Sequence, residues 1–79
     1  MGMRVRFTTH ALQRGAERGI TRWDALWVIS NPVTSAPGYG GMTNLWGYTP
    51  GTPGKRIRVT IELKTMTVIT LAIADRRSE

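Results

Sequence analysis

One histidine, His10, stands four residues before Arg14 and eight before Arg18 in the run Thr8-Thr9-His10-Ala11-Leu12-Gln13-Arg14-Gly15-Ala16-Glu17-Arg18-Gly19-Ile20-Thr21. A helix turns once in about 3.6 residues, so positions i, i+4 and i+8 stay on one side of it. The three side chains therefore form a polar stripe: a group that changes charge near neutrality, then two permanent cations. Such a stripe suits holding a phosphate and turning it over. Cutting RNA without a metal has three requirements. A base or acid must move the 2′-hydroxyl and leaving-group protons, cations must neutralise the pentacovalent phosphate, and donors must fix the in-line geometry. His10 can meet the first, Arg14, Arg18 and Arg58 the second, and Thr60 and Thr70 the third. The 2′-hydroxyl is an internal nucleophile, so no metal, thiol or cofactor is expected and DNA would be spared. The second proton carrier stays open among Tyr48, Glu62, an arginine and solvent. Trp46, near a glycine-rich bend, is the tryptophan suited to stacking on a base, and Arg56 adds a cation on the strand that carries Arg58.

These residues need elements to position them. Thr8 or Thr9 can cap the first helix and Gly19 can end it in the left-handed conformation. Within that helix Glu17 can reach Arg14 or Gln13, while Leu12 and Ala16 lie on another face with Ala11 and Gly15 beside them, small enough to pack closely. Thr21 with Asp24 three residues on approximates a capping box for a second helix that runs to about Ser30. Asn31-Pro32 stops it. Trp23, Leu26 and Trp27 share one face of that helix at core or interface spacing. Before the helices, Met3-Arg4-Val5-Arg6-Phe7 alternates like a short edge strand. After them the sequence predicts a loop over 33–41, a strand over 42–49 weakened by Gly47, and a turn over 50–54. The clearest strand is 55–63, with Ile57, Val59, Ile61 and Leu63 on one face and Arg56, Arg58, Thr60 and Glu62 on the other. The last strand, 67–74, carries Ile69, Leu71 and Ile73. A three-residue loop over 64–66 keeps both apolar sets on one face. It pairs Leu63 with Thr67, Ile61 with Ile69, Val59 with Leu71, Thr60 with Thr70 and Arg58 with Ala72. Residues 75–79 read as a polar tail.

Charge narrows the partner. Eleven Lys plus Arg face five Asp plus Glu, a net charge of +6, and nine of the eleven are arginine, whose planar fork grips phosphate oxygens in pairs. Nucleic acid is the first expectation, an acidic protein the second and a membrane surface the third. With 79 residues the chain reads as one domain over 1–79, short enough to bury only about 60–65% of its unfolded surface. There is no cysteine, which excludes disulfides and thiolate metal sites. One histidine and five scattered carboxylates argue against a protein-built metal site. No apolar run resembles a signal peptide or approaches the roughly 20 residues of a membrane span, so a cytoplasmic setting is expected.

The chain resembles a family of small proteins labelled domain of unknown function 4258. The resemblance rests on Phe7-Thr8-Thr9-His10-Ala11-Leu12-Gln13-Arg14-Gly15-Ala16-Glu17-Arg18-Gly19-Ile20, Asp24, Asn31-Pro32-Val33, the strand bearing Tyr48, Arg56-Ile57-Arg58-Val59 and Val68-Ile69-Thr70. That family is similar to the barnase–EndoU–colicin–RelE (BECR) superfamily of toxin ribonucleases. The resemblance implies an α+β fold in which two N-terminal helices pack on a three- or four-stranded antiparallel sheet. It also implies metal-independent RNA cleavage by His10, Arg14, Arg18, Arg58 and Thr70, and an acidic antitoxin or immunity protein as partner. The turn over 50–54 departs from the pattern and leaves the alignment of Trp46 and Tyr48 open. Two other functions fit the same residues: a non-catalytic module binding nucleic acid or protein with the basic face, and a partner-binding protein built around the tryptophans of the second helix.

Overall fold

The structure, a computed structural model, describes residues 4–51 and 54–74. It is α+β, with two helices and a five-stranded sheet. The elements are β1 (Arg6–Phe7), α1 (Thr9–Arg18), α2 (Arg22–Ser30), β2 (Thr34–Pro37), a 3-10 turn (Tyr39–Gly41), β3 (Thr43–Gly47), β4 (Ile57–Glu62) and β5 (Thr67–Ile73). Sheet order is β1-β5-β4-β3-β2. Among the described residues no helix is long and apolar enough to cross a membrane.

The expected helix boundaries hold. Thr8 is the N-cap of α1; its hydroxyl accepts from the Ala11 amide at 3.0 Å and donates to the Ile69 carbonyl at 3.2 Å. Gly19 closes α1 in the left-handed region at φ 71°. The capping box of α2 is complete. Asp24 Oδ2 accepts from the Thr21 amide at 3.0 Å, and Thr21 Oγ1 accepts from the Asp24 amide at 3.1 Å. Asp24 is buried, and its Oδ1 accepts from the buried Thr49 hydroxyl at 3.1 Å, tying the chain after β3 to the start of α2.

Glycine sets how closely the layers approach. A Cβ at Gly15 would stand 2.6 Å from the Ile20 carbonyl oxygen and 3.1 Å from Leu71 Cδ1. Only a residue without a side chain lets the chain double back under α1 while α1 lies on β5. Gly47, a weakness for a strand in isolation, is where β3 passes beneath Val28 of α2, whose Cγ1 would be 3.3 Å from a Cβ there.

The core lies between the helices and one face of the sheet: Ala11, Ile20, Ala25 and Val28 above, Leu45, Ile57, Val59, Ile61, Val68 and Leu71 below. Each fully buried aliphatic side chain contributes roughly 1.5–3 kcal/mol. The inward side of α1 is made of the two small residues expected to pack closely, and in α2 the tryptophans stand outside the core. Ala11 and Gly15 are the buried residues of α1, with Ala16 exposed. In α2 they are Asp24, Ala25 and Val28, while Trp23 and Trp27 are 52% and 37% exposed and lie against each other with ring centroids 5.5 Å apart. Small residues inward bring α2 down on the sheet, and the bulky indoles turn out.

The sheet corrects the expectation of three or four antiparallel strands. It has five, and β1 runs parallel to β5, with Arg6 opposite Thr67 and Phe7 opposite Val68. β2 forms within the stretch expected to be loop. As an edge strand it needs only the β3 backbone, with Thr34 opposite Trp46 and Ala36 opposite Asn44, so its exposed side chains show no alternation to read. β3 and β4 are shorter than expected, leaving Tyr48, Lys55 and Leu63 exposed beyond their ends.

The β4–β5 register is right where the site lies and wrong near the turn. Arg58 pairs with Ala72, Val59 with Leu71 and Thr60 with Thr70. Beyond a bulge, Ile61 pairs with Val68 and Glu62 with Thr67, in place of the expected Ile61–Ile69 and Leu63–Thr67. The connection spans 63–66, one residue longer than expected, with Met66 at φ 52°. That extra residue shifts the register by one, and the bulge at Ile69 shifts it back. Val68 therefore takes the core position expected of Ile69. Met1, Gly2, Met3, Thr52, Pro53 and the tail 75–79 lie outside the described residues.

Candidate nucleic-acid interface

Alternation in β3, β4 and β5 puts one set of side chains under the helices and the other on the opposite, uncovered face. Pairing then sorts the uncovered set into rows. One row reads Thr34, Trp46, Arg58, Ala72 from β2 to β5. The next reads Ala36, Asn44, Thr60, Thr70. The sequence places Arg58, Thr60 and Thr70 together, and the structure adds Trp46 as the direct neighbour of Arg58 and Arg56 beside Trp46. The Arg56 guanidinium carbon lies 5.7 Å from the Trp46 ring centroid.

Asn44 belongs to this face and was missed. Its Oδ1 accepts from the Thr60 hydroxyl at 2.6 Å. The signal was available: Asn44 and Trp46 are two residues apart in one strand and so share a face. Arg58 is half-buried, its Nε is closed off from solvent, and that atom has no hydrogen-bond partner. Neither Arg56 nor Arg58 forms an ion pair among the described residues. A closed-off N–H without an acceptor costs about 1–3 kcal/mol, so a native one calls for a reason such as a ligand. There is no cavity among the described residues.

The helix stripe lies elsewhere. α1 rests on the core side of β5, and His10, Arg14 and Arg18 follow its flank. Arg14 forms an ion pair with Glu17 at 2.8 Å, and Arg18 approaches the same carboxylate oxygen at 3.7 Å. His10 is exposed and has no hydrogen bond or ion pair among the described residues. It is two residues past Thr8, whose hydroxyl holds the carbonyl of Ile69, the residue before Thr70. The first turn of α1 thus starts beside the middle of β5, next to Thr70 in the chain. Glu62 accepts from Thr65 at 2.7 Å at the far end of β4, and Tyr48 stands exposed past the end of β3. Among the described residues no group of three His, Asp or Glu side chains is placed to hold a metal ion. No protein-family model, curated protein or solved structure matches this chain.

Proposed function

We propose that the chain is a toxin-like, metal-independent endoribonuclease that holds RNA on the uncovered sheet face, as its resemblance to the domain of unknown function 4258 family and the BECR ribonucleases implies. The observation that carries this reading is Arg58: a strand-held cation without an acid partner among the described residues, between Trp46 and Ala72 and beside the Thr60–Thr70 pair. Arg58 holds the scissile phosphate and Thr60 and Thr70 orient it. His10, from the turn anchored at Ile69, takes the 2′-hydroxyl proton. The 2′-oxygen bonds to phosphorus as the bond to the 5′-oxygen breaks, and that oxygen takes a proton from solvent. Arg14 and Arg18 add charge from the flank once Glu17 is displaced. Purified protein incubated with total RNA in EDTA should yield fragments ending in 2′,3′-cyclic phosphates, and a 2′-deoxy nucleotide at the cut site should block them. Intact RNA from mildly acidic to mildly basic pH would sink the reaction.

A second reading rests on the pairing within α1. With Glu17 engaging both arginines and His10 free of partners among the described residues, the same sheet face serves a non-catalytic nucleic-acid-binding module. Tight RNA binding without cleavage selects it.

A further inference from the structure

The uncovered face has a relief that phosphate binding does not require. Its tall side chains, Trp46, Arg56 and Arg58, cluster at one end of β3 and β4. The floor beside them is short: Ala36, Thr60, Thr70 and Ala72. Neighbouring strands are about 4.8 Å apart, so the Trp46 indole and the Arg58 guanidinium lie within reach of a single nucleotide. The Arg56 cation stands over the indole and restrains it, and strand pairing on both sides of β3 fixes its backbone. A sheet face with an anchored indole, short neighbours and arginines without ion pairs among the described residues fits an extended polyanion whose bases are free to stack. A duplex, whose bases are already stacked, offers this face only its backbone.

We infer that Trp46 and Arg56 form a base-stacking subsite next to the Arg58 phosphate contact, so that the face selects single-stranded nucleic acid by its form. The inference rests on the proposed placement of RNA here and adds what the face recognises. Stacking and phosphate contacts ignore the 2′-hydroxyl. Single-stranded DNA should therefore bind about as well as RNA and block cleavage competitively, the sugar being read only at the bond-breaking step.

The test uses short fluorescent oligonucleotides and anisotropy at low salt: single-stranded RNA, single-stranded DNA, RNA duplex, and a single strand with abasic positions. The wild type should prefer both single strands over duplex and over the abasic strand. Trp46→Ala should weaken base-bearing single strands by about 5- to 150-fold, the range for losing one stacked base, and leave abasic and duplex binding unchanged. Trp46→Phe, which keeps an aromatic ring, should recover most of the affinity, which separates stacking from a folding defect. Equal affinity for duplex, abasic and normal strands overturns the subsite; if Arg58→Ala still weakens all of them, the phosphate contact stands. Single strands bound as expected but never cut leave the subsite standing and remove the ribonuclease reading. Failure of the wild type to bind any of the probes removes both.

Discussion

Arg14 and Arg18 on α1 bear the same charge as Arg56 and Arg58, just before and at the start of β4, in a different setting. The helix pair, Arg14 half-buried and Arg18 exposed, shares one carboxylate, Glu17, at 2.8 and 3.7 Å. The strand pair is half-buried, has no acid partner among the described residues, and is flanked by an indole and hydroxyls. A solvated, paired cation gives up an existing interaction before it can serve a phosphate; an unpaired one on a rigid strand does not. Spacing along the chain makes the helix stripe conspicuous, yet ion pairing and the closed-off Arg58 Nε favour the sheet. The start of α1 is tied to the sheet where the Thr8 hydroxyl donates to the Ile69 carbonyl.

The largest effect should come where the regions must cooperate. His10→Ala should reduce RNA cleavage by about 10²–10⁴-fold while changing affinity only a few-fold, since general acid–base catalysis contributes on that scale. His10→Gln, which keeps hydrogen bonding without titration, should be nearly as inactive. On the binding side Arg58→Ala should lower the slope of log affinity against log salt by about 1, whereas Arg14→Ala should change it less. Equal slope changes would mean that the α1 cations are as available as the sheet cations and would undo the contrast.

How much of this was legible in the sequence follows from what each element depends on. Caps are local: Thr8, Gly19 and the Thr21–Asp24 box specify both helices by short-range hydrogen bonds, and all are present as read. The apolar alternation of β4 identified its core face, and cross-strand pairing then put Thr60 opposite Thr70. What failed was non-local. The parallel β1–β5 pairing joins strands some 60 residues apart and leaves no periodic trace in a two-residue strand. β2 is held by the β3 backbone alone. Spacing in α2 shows that Trp23 and Trp27 share a face and leaves open whether that face is core or interface. Gly47 and Val28 require a close approach, which Ala25 allows and an inward Trp23 would prevent. Asn44 was legible and overlooked.

A middle-sized effect should come from separating the layers. Gly15→Ala puts a methyl 2.6 Å from the Ile20 carbonyl, a backbone atom. Overpacking of this kind costs about 1–3 kcal/mol and outweighs the gain of up to about 1 kcal/mol in helix propensity. Thermal denaturation should show Tm lower by several degrees, as about 1 kcal/mol moves a domain of this size by roughly 4–8 °C. At temperatures where the variant is folded, the displaced α1 should impair cleavage more than single-strand binding. Equal losses would place α1 on the binding path.

The smallest effect bears most directly on the contrast between the two arginine pairs. Glu17→Gln removes the carboxylate that Arg14 and Arg18 share and leaves the backbone of α1 untouched. Exposed pairs at this spacing contribute about 0.2–0.5 kcal/mol, so chemical denaturation should barely register the change. Binding is the sensitive readout. If the helix arginines are held back by Glu17, the variant should bind single-stranded RNA a few-fold more tightly at low salt, and the gain should vanish as salt rises. Combined with Arg58→Ala it should restore only part of the lost affinity, because the freed cations lie on the helix flank and not beside Trp46. Should Glu17→Gln leave the affinity unchanged, the helix arginines are a solvated face and Arg58 is the principal phosphate contact. Should it restore full affinity to Arg58→Ala, position would matter less than total charge, and the sheet would lose its claim to be the binding surface.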